Sequence, residues 1–104
     1  MKSLAVTRTI AHDHPAFAGH FPGRPLLPGV LLLAEVMEAA CTASDPARRF
    51  AAGATLAAAK FLAPVAPGAR LEIALTWDDA TLHFEALHAG TPVARGHWRW
   101  EAAE

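Results

Sequence analysis

Strict alternation of apolar and polar residues predicts several β-strands in the second half of the chain. The alternation is clearest over residues 70–77, where every second side chain is apolar: Leu71, Ile73, Leu75 and Trp77. A period of two residues is typical of a strand with one buried face and one face in water. Similar segments predict strands over 80–88 and 93–100, and a β-branched, apolar segment predicts a first strand over 4–11.

Residues 29–42 have the spacing of a helix instead. Apolar side chains recur there every three or four residues, and the predicted core-facing stripe consists of Val30, Leu33, Ala34, Met37 and Cys41. A second, more polar stripe consists of Leu31, Glu35, Glu38 and Thr42. We expect Ser44-Asp45-Pro46 to end this helix, and we expect Cys41 to fill space in the core.

Residues 50–63 give conflicting signals. Their alanine content favours a helix, whereas Gly53 interrupts the segment and the segments that follow are predicted strands. We predict a strand here, with small side chains that allow another element to pack closely on one face. The chain then has one helix, at about residues 29–42, and about five strands. This indicates an α+β fold in which an antiparallel sheet wraps around the helix.

Composition indicates a single domain, residues 1–104, whose surface is partly covered by a partner. Hydrophobic residues make up 53% of the chain and charged residues only 18%. The simplest partner is a second copy, which predicts a homodimer or a larger homo-oligomer. The formal charge of −1 gives no support for nucleic-acid binding.

The compartment is predicted from cysteine usage and from the N-terminus. A single cysteine excludes an internal disulfide and is typical of a reducing compartment. The N-terminal segment turns polar at Thr7, too early for a signal peptide, and the apolar run over 30–34 is too short to cross a membrane. We therefore expect a cytoplasmic protein without membrane contact.

A rigid loop precedes the predicted helix. Residues 20–30 contain three prolines and two glycines, which disfavour both helix and strand. Because the helix begins where the loop ends, the loop is expected to hold His20 beside the helix N-terminus. His12 and His14 have the spacing of metal ligands but no third ligand accompanies them, so we predict neither a metal site nor a cofactor.

The segment from His20 to Leu31 resembles the HFPG-x-P-x-x-PGV-L signature of the hotdog-fold 3-hydroxyacyl-(acyl-carrier-protein) dehydratases. The segment from Lys60 to Gly68 is similar to a second landmark of that family, K/R-F-x-x-P-V-x-P-G. The two landmarks lie in the family's order, and the resemblance covers nearly the whole chain. The short length is also similar to that of the dehydratase-like proteins found with aryl-polyene gene sets.

The resemblance implies the reversible dehydration of a 3-hydroxyacyl thioester to a trans-2-enoyl thioester. His20 would take the proton from C2, and the backbone N–H of Gly29 would polarise the thioester carbonyl. Further residues expected along the substrate are Phe21, Pro28, Val30 and Ala34. The substrate would be carried by an acyl-carrier protein or by coenzyme A. Two copies would share each site, with the histidine from one chain and the acid from the other.

One position departs from the family pattern. The family's carboxylic acid stands fourteen residues after the histidine, and this chain has Ala34 there. Glu35 is the acid that we favour and Glu38 is the alternative, although on a helix Glu35 is rotated by about 100° from position 34. Two other functions therefore stay open: a hotdog acyl thioesterase, and a non-catalytic module that binds acyl thioesters or carrier protein.

Basic residues are scattered along the sequence, and they could meet an acidic carrier protein or the phosphates of coenzyme A. Such a set fits an ordinary surface equally well. Its members are Arg24, Arg48, Arg49, Lys60, Arg70, Arg95 and Arg99.

Overall fold

The computed structural model describes residues 1–11, 13 and 27–101. Five strands form one antiparallel sheet, and two helices follow β1. In chain order the elements are β1 (Lys2–Thr9), α1 (Gly29–Ala40), α2 (Ser44–Ala52), β2 (Ala54–Phe61), β3 (Arg70–Trp77), β4 (Thr81–His88) and β5 (Thr91–Trp100). The strands lie in the order β1-β3-β4-β5-β2, so β1 and β2 are the edge strands of this sheet.

Short turns join the three consecutive strands β3, β4 and β5. Between β3 and β4 the Asp78 carboxylate accepts backbone N–H bonds from Ala80 and Thr81, both at 2.9 Å. Between β4 and β5 both turn residues have positive φ, 51° at Ala89 and 81° at Gly90. Positive φ at both central residues is characteristic of the two-residue turns that match the twist of a hairpin.

The core lies between one face of the sheet and α1. In β3 the side chains of Leu71, Ile73 and Leu75 are each at most 1% exposed, as their alternation predicts. Helix α1 packs on β1 and β3 and contributes Leu32, Val36, Ala39 and Ala40 to the same core. The predicted α+β class and the five antiparallel strands are confirmed.

The predicted core-facing stripe of α1 is wrong. The helix buries Leu32, Val36, Ala39 and Ala40, whereas Val30 is 72% exposed and Met37 and Cys41 are also exposed in the single chain. Apolar residues occupy nearly the whole circumference of this helix, so its periodicity fits more than one face. The sheet, which arrives from distant sequence, selects the buried face.

Helix α2 is not predicted from the sequence, because Ser44-Asp45-Pro46 has the pattern that ends a helix. Pro46 is the third residue of α2, within the first turn, where backbone N–H groups have no partner in the helix and proline is tolerated. Asp45 fixes this turn through its ion pairs with Arg48 and Arg49. It also accepts the indole N–H of Trp77 at 3.1 Å. Of the predicted strand over 50–63, Ala54–Phe61 is confirmed and the first residues belong to α2.

The other boundaries move by about two residues. The first strand spans Lys2–Thr9 rather than 4–11, α1 ends at Ala40 rather than 42, and the last strand begins at Thr91 rather than 93. Within the part of the chain that the structure describes, no helix is long and apolar enough to cross a membrane.

Candidate active site

An apolar groove of about 560 Å³ lies where the N-terminus of α1 meets the end of β2. The backbone joins its two walls, because Leu27 N–H donates to the carbonyl of Val65 at 2.8 Å. The two sequence landmarks, distant in the chain, therefore form the walls of one groove. Its lining residues are Leu27, Pro28, Gly29, Leu32, Phe61, Leu62, Ala63, Pro64 and Val65.

The N-terminus of α1 carries no side-chain cap among the described residues, and its first turn has no acidic residue. Pro28 occupies the cap position and has no N–H of its own, while its carbonyl accepts from Leu31 and Leu32. The first-turn N–H groups of a helix have no partner within the helix, and they carry the positive end of its dipole. Such an end can stabilise negative charge that develops on a carbonyl oxygen.

Gly29 is where the two landmarks touch. A Cβ built at Gly29 would lie 2.8 Å from Cζ of the Phe61 ring, closer than side-chain carbons approach one another. The Phe61 ring covers Gly29 with one side. Its other side remains open to the groove, since Phe61 is 49% exposed. A side chain at position 29 would displace this ring, so glycine allows the ring to lie against the start of the helix.

The predicted site residues fall into three groups. His20 and Phe21 lie outside the described residues. Pro28 and Gly29 line the groove, and their contact with a substrate stays a prediction. Val30 and Ala34 are exposed on the side of α1 that faces away from the chain's own core.

Glu35 and Glu38 contact one arginine that sequence reasoning missed. Arg8 on β1 donates to Glu35 Oε2 from Nε at 3.1 Å and from Nη2 at 2.9 Å, and Nη2 also reaches Glu38 Oε2 at 2.5 Å. The Glu35 side chain is 17% exposed and that of Glu38 63%. The sequence does contain a signal for this contact. Leu4, Val6 and Arg8 alternate along β1, which places Arg8 on the inward face of the strand.

This ion pair changes what Glu35 can do. A carboxyl group that acts as a general acid must hold a proton and must reach the departing hydroxyl. Glu35 instead accepts two N–H bonds from a guanidinium on the β1 side of the helix, and it is not among the residues that line the groove. Among the described lining residues there is no titratable side chain at all. A group that transfers a proton to a molecule in this groove would therefore come from outside the described lining.

Beside the groove, several apolar side chains of the described residues are exposed. Val30, Ala34 and Met37 are exposed on α1, Cys41 is exposed directly after it, and on β2 Leu56 is 41% exposed. Strand β2 pairs only with β5, so its other edge has no partner strand within the described part of the chain. Exposed apolar area of this kind, beside an unpaired strand edge, is characteristic of a protein interface.

Comparison with known proteins places the chain among the dehydratases. Residues 1–97 match the ApeI-like family, whose description is ApeI dehydratase. The 3-hydroxyacyl-(acyl-carrier-protein) dehydratase FabZ of Myxococcus xanthus is 33% identical over 78 residues, which cover 69% of this chain and 51% of the relative. The chain spans about half the length of the first curated relatives it matches.

Solved structures agree with this assignment. The dehydratase heterocomplex ApeI:P from Xenorhabdus doucetiae superposes with a TM-score of 0.77 at 27% identity, covering 96% of this chain and 88% of that one. A 1,4-dihydroxy-2-naphthoyl-CoA thioesterase from Synechocystis superposes with a TM-score of 0.67 over 95% of this chain and 80% of its own. At 17% identity the thioesterase shows the fold alone, which is the hotdog fold.

The match over residues 1–97 and the shared architecture lead to one conclusion. The chain belongs to the ApeI-like dehydratase family of hotdog-fold proteins.

Proposed function

We propose that this chain dehydrates 3-hydroxyacyl thioesters to trans-2-enoyl thioesters, with His20 as the base and the Gly29 N–H as the oxyanion donor. The observation that carries the proposal is the N-terminus of α1, which has no side-chain cap among the described residues and lies in the wall of an apolar groove. That geometry suits a thioester whose carbonyl oxygen receives an N–H bond while its acyl chain lies against apolar side chains. Family membership supports the reaction class.

The reaction needs only proton transfers and charge stabilisation. His20 removes the proton from C2, and the electron pair moves toward the carbonyl, whose oxygen gains charge beside the Gly29 N–H. As the C2–C3 double bond forms, the bond from C3 to the hydroxyl breaks and an acid gives that hydroxyl a proton, releasing water. Pro28 and Val30 flank the oxyanion donor in sequence, and Phe21 follows the base.

Two sources of the acid are compatible with the geometry. In a homodimer we propose Glu35 as the acid, with Glu38 as the alternative. Glu35 must then leave its ion pair with Arg8 in order to reach the substrate hydroxyl. In a heterodimer a different hotdog chain contributes the carboxylic acid, since Ala34 has none to give. The heterocomplex formed by the dehydratase of Xenorhabdus doucetiae supports considering the second arrangement.

Dimerisation is part of the proposal in either case. The exposed stripe of α1 and the open edge of β2 adjoin the groove, so a second chain placed there would cover the apolar surface and approach the site. A homodimer is the arrangement predicted from composition. The substrate in this proposal is a thioester of an acyl-carrier protein or of coenzyme A.

The test follows the absorbance of the enoyl thioester as crotonyl thioester is hydrated by the purified chain. His20→Gln is expected to lower the rate at least about 100-fold, the size of a lost general base. His88→Gln is the matched control, because His88 is an exposed histidine at the end of β4 and should leave the rate unchanged. Equal rates for wild type and His20→Gln would refute the proposed base.

A second set of variants identifies the acid. Glu35→Gln and Glu38→Gln both remove a partner of Arg8, so loss of the ion pair is common to the two. Only the variant of the true acid should lose activity by about 100-fold or more. If the chain alone is inactive and gains activity on mixing with a hotdog subunit that has a carboxylic acid at the position of Ala34, the partner supplies the acid.

The alternatives have their own readouts in the same reaction. A thioesterase would release free thiol from the crotonyl thioester without adding water to the enoyl double bond. A non-catalytic binding module would bind the thioester, with neither release of thiol nor hydration. Position 34 is an alanine and not a carboxylic acid, and this observation makes the binding module the second candidate.

A further inference from the structure

Two histidines on neighbouring strands lie side by side on the outer face of the sheet, opposite α1. His83 of β4 is the register partner of His97 of β5, and the two rings stack with centroids 4.9 Å apart at 24°. Both side chains point away from the core, since their neighbours Leu82, Phe84 and Trp98 are buried on the other face. Sequence spacing does not reveal this pair, because fourteen residues separate the two histidines and only the register of the strands joins them.

The histidine pair is open to solvent. A pocket of about 270 Å³ lies at the pair, and both rings line it. The side chains that flank the pair across the sheet are short, since Thr76 of β3 is opposite His83 and Ala58 of β2 is opposite His97. His83 itself is exposed. An ion in solution can therefore reach both rings.

The ring nitrogens of the pair have no charged partner among residues 1–11, 13 and 27–101. No carboxylate of these residues lies within 4.0 Å of a ring nitrogen of His83 or His97. Neither ring makes a side-chain hydrogen bond to another residue of the same ranges. Each neutral imidazole therefore keeps a nitrogen lone pair that can bind a ligand.

Two imidazoles on adjacent strands have the spacing of a chelating pair. Directly opposite residues of an antiparallel pair have Cβ atoms about 4.5–5.5 Å apart. Zn–N bonds of about 2.0–2.1 Å require the two nitrogens of a tetrahedral site to lie about 3.3 Å apart. Rings in stacking contact reach that separation by rotating about their Cβ–Cγ bonds. Because the strands fix both backbones, only these side-chain rotations need to be ordered on binding.

We propose that His83 and His97 form a binding site for a divalent transition-metal ion, with Zn²⁺ as its representative. Imidazole nitrogen is a preferred ligand of zinc, copper and nickel. No group of three His, Cys, Asp or Glu side chains in the described part of the chain could hold a metal ion. The site therefore has two protein ligands, and water completes the coordination. This inference is independent of the proposed function.

The charges around the pair determine which metals it accepts. Arg95 and Arg99 stand two residues on either side of the β5 histidine. Glu85 stands two residues after the β4 histidine and opposite Arg95, and Lys60 of β2 is also opposite Arg95. Three cations against one carboxylate repel a divalent ion, so the affinity must come from the nitrogen donors. We therefore expect binding of Zn²⁺ and not of Mg²⁺ or Ca²⁺, which prefer oxygen ligands.

The test follows the ring C–H signals of the histidines by NMR as Zn²⁺ is added to the untagged protein. The signals of His83 and His97 should shift together, with one dissociation constant, while that of His88, exposed at the end of β4, should not shift. His83→Ala should weaken the binding seen at His97 at least about tenfold, because one of two ligands is lost. His88→Ala is the matched control and should leave the binding unchanged. Mg²⁺ should shift neither ring of the pair.

A second variant separates metal binding from ring stacking. His83→Phe keeps an aromatic ring against His97 but removes the nitrogen donor, so it should lose the increase in Tm that Zn²⁺ gives the wild type. Arg99→Gln removes a repelling charge and should tighten Zn²⁺ binding about twofold.

Four results would overturn the metal site. The first is a shift of the two rings with different dissociation constants, and the second is no shift of either ring up to about 1 mM Zn²⁺. The third is an equal response to Mg²⁺. The fourth is undiminished Zn²⁺ binding in His83→Phe, which would place the bound ion elsewhere in the protein.

Discussion

Strands β3 and β2 each contain eight residues of the same sheet, yet their burial is opposite. In β3 every second side chain is buried, whereas in β2 all residues after the first are exposed in the single chain. The difference comes from position, since β3 lies between β1 and β4 while β2 is an edge strand paired only with β5. Among the described residues, β3 is thus buried by its own chain, whereas β2, which ends at the groove, exposes its side chains.

The same division runs through α1. Its buried residues, such as Val36, pack on the sheet, while Met37 lies on the open side with Val30 and Ala34. In this protein the stable core and the proposed catalytic surface therefore use opposite faces of one helix. The predictions below ask whether these two halves respond to substitution as differently as their burial indicates.

The largest effect is expected from truncation in β3. Leu75→Ala should lower the free energy of unfolding by about 3 kcal/mol, because a side chain 1% exposed leaves a cavity. Leu56→Ala in β2, 41% exposed, should cost less than about 1 kcal/mol in dilute protein. Urea unfolding at low protein concentration measures the free energy of unfolding of both variants. Equal losses would mean that β2 is as fully packed in the single chain as β3.

The second effect concerns the bulge that shapes β2. Pairing between β2 and β5 shifts between Leu56 and Ala58, and a Cβ built at Gly96 would overlap the carbonyl oxygen of Ala58. Gly96→Ala should therefore destabilise the protein by about 2 kcal/mol by forcing the two strands apart. Thermal unfolding and amide exchange of β2 measure this. Unchanged exchange in β2 would contradict a role for Gly96 in the bulge.

The third effect separates association from folding. Met37→Glu places a charge on the exposed apolar side of α1, so it should raise the dissociation constant of the proposed dimer at least about tenfold. Its free energy of unfolding in dilute protein should change by less than about 0.5 kcal/mol. Ser3→Glu on the other edge strand is the control, and analytical ultracentrifugation measures both variants. An unchanged dimer in Met37→Glu would show that the interface lies elsewhere.

The fourth effect tests the ion pairs between β1 and α1. Arg8→Met should cost at most about 1 kcal/mol of stability, because the Arg8 side chain is 30% exposed and such pairs are screened by water and salt. The difference from wild type should fall at high salt. If Arg8 restrains the acid, this variant should also change the rate of crotonyl thioester hydration, and an unchanged rate would contradict that restraint.

The smallest effect is a loss of stability in acid. Backbone N–H bonds from Thr81 and Ala80 lower the pKa of Asp78 below 3.8, its value in an unfolded chain. Because the folded pKa is the lower one, the stabilisation is present above pH 3.8 and is lost as the pH falls through the folded pKa. Asp78→Ala should therefore flatten the acid limb of a profile of unfolding free energy against pH. An identical acid limb in Asp78→Ala would exclude this turn as the cause.

Sequence reasoning succeeded where neighbouring residues determine the outcome. The alternation of Leu71, Ile73 and Leu75 was enough to predict a half-buried strand, because a strand's two faces follow directly from its period of two. It failed at Pro46, where a signal that ends one helix also fits the first turn of another. Both landmarks of the resemblance contribute to the groove, although residues expected to contact substrate were predicted only in and after the first of them.

The sequence by itself determined the α+β architecture, the two landmarks of the groove and the absence of an acid at Ala34. Only the tertiary structure decided which face of α1 is buried, that Arg8 engages both Glu35 and Glu38, and which arginines have ion-pair partners. The physical reason is distance along the chain. Periodicity and turn chemistry are properties of adjacent residues, whereas Arg8 and Arg49 each acquire a partner from a segment about thirty residues away.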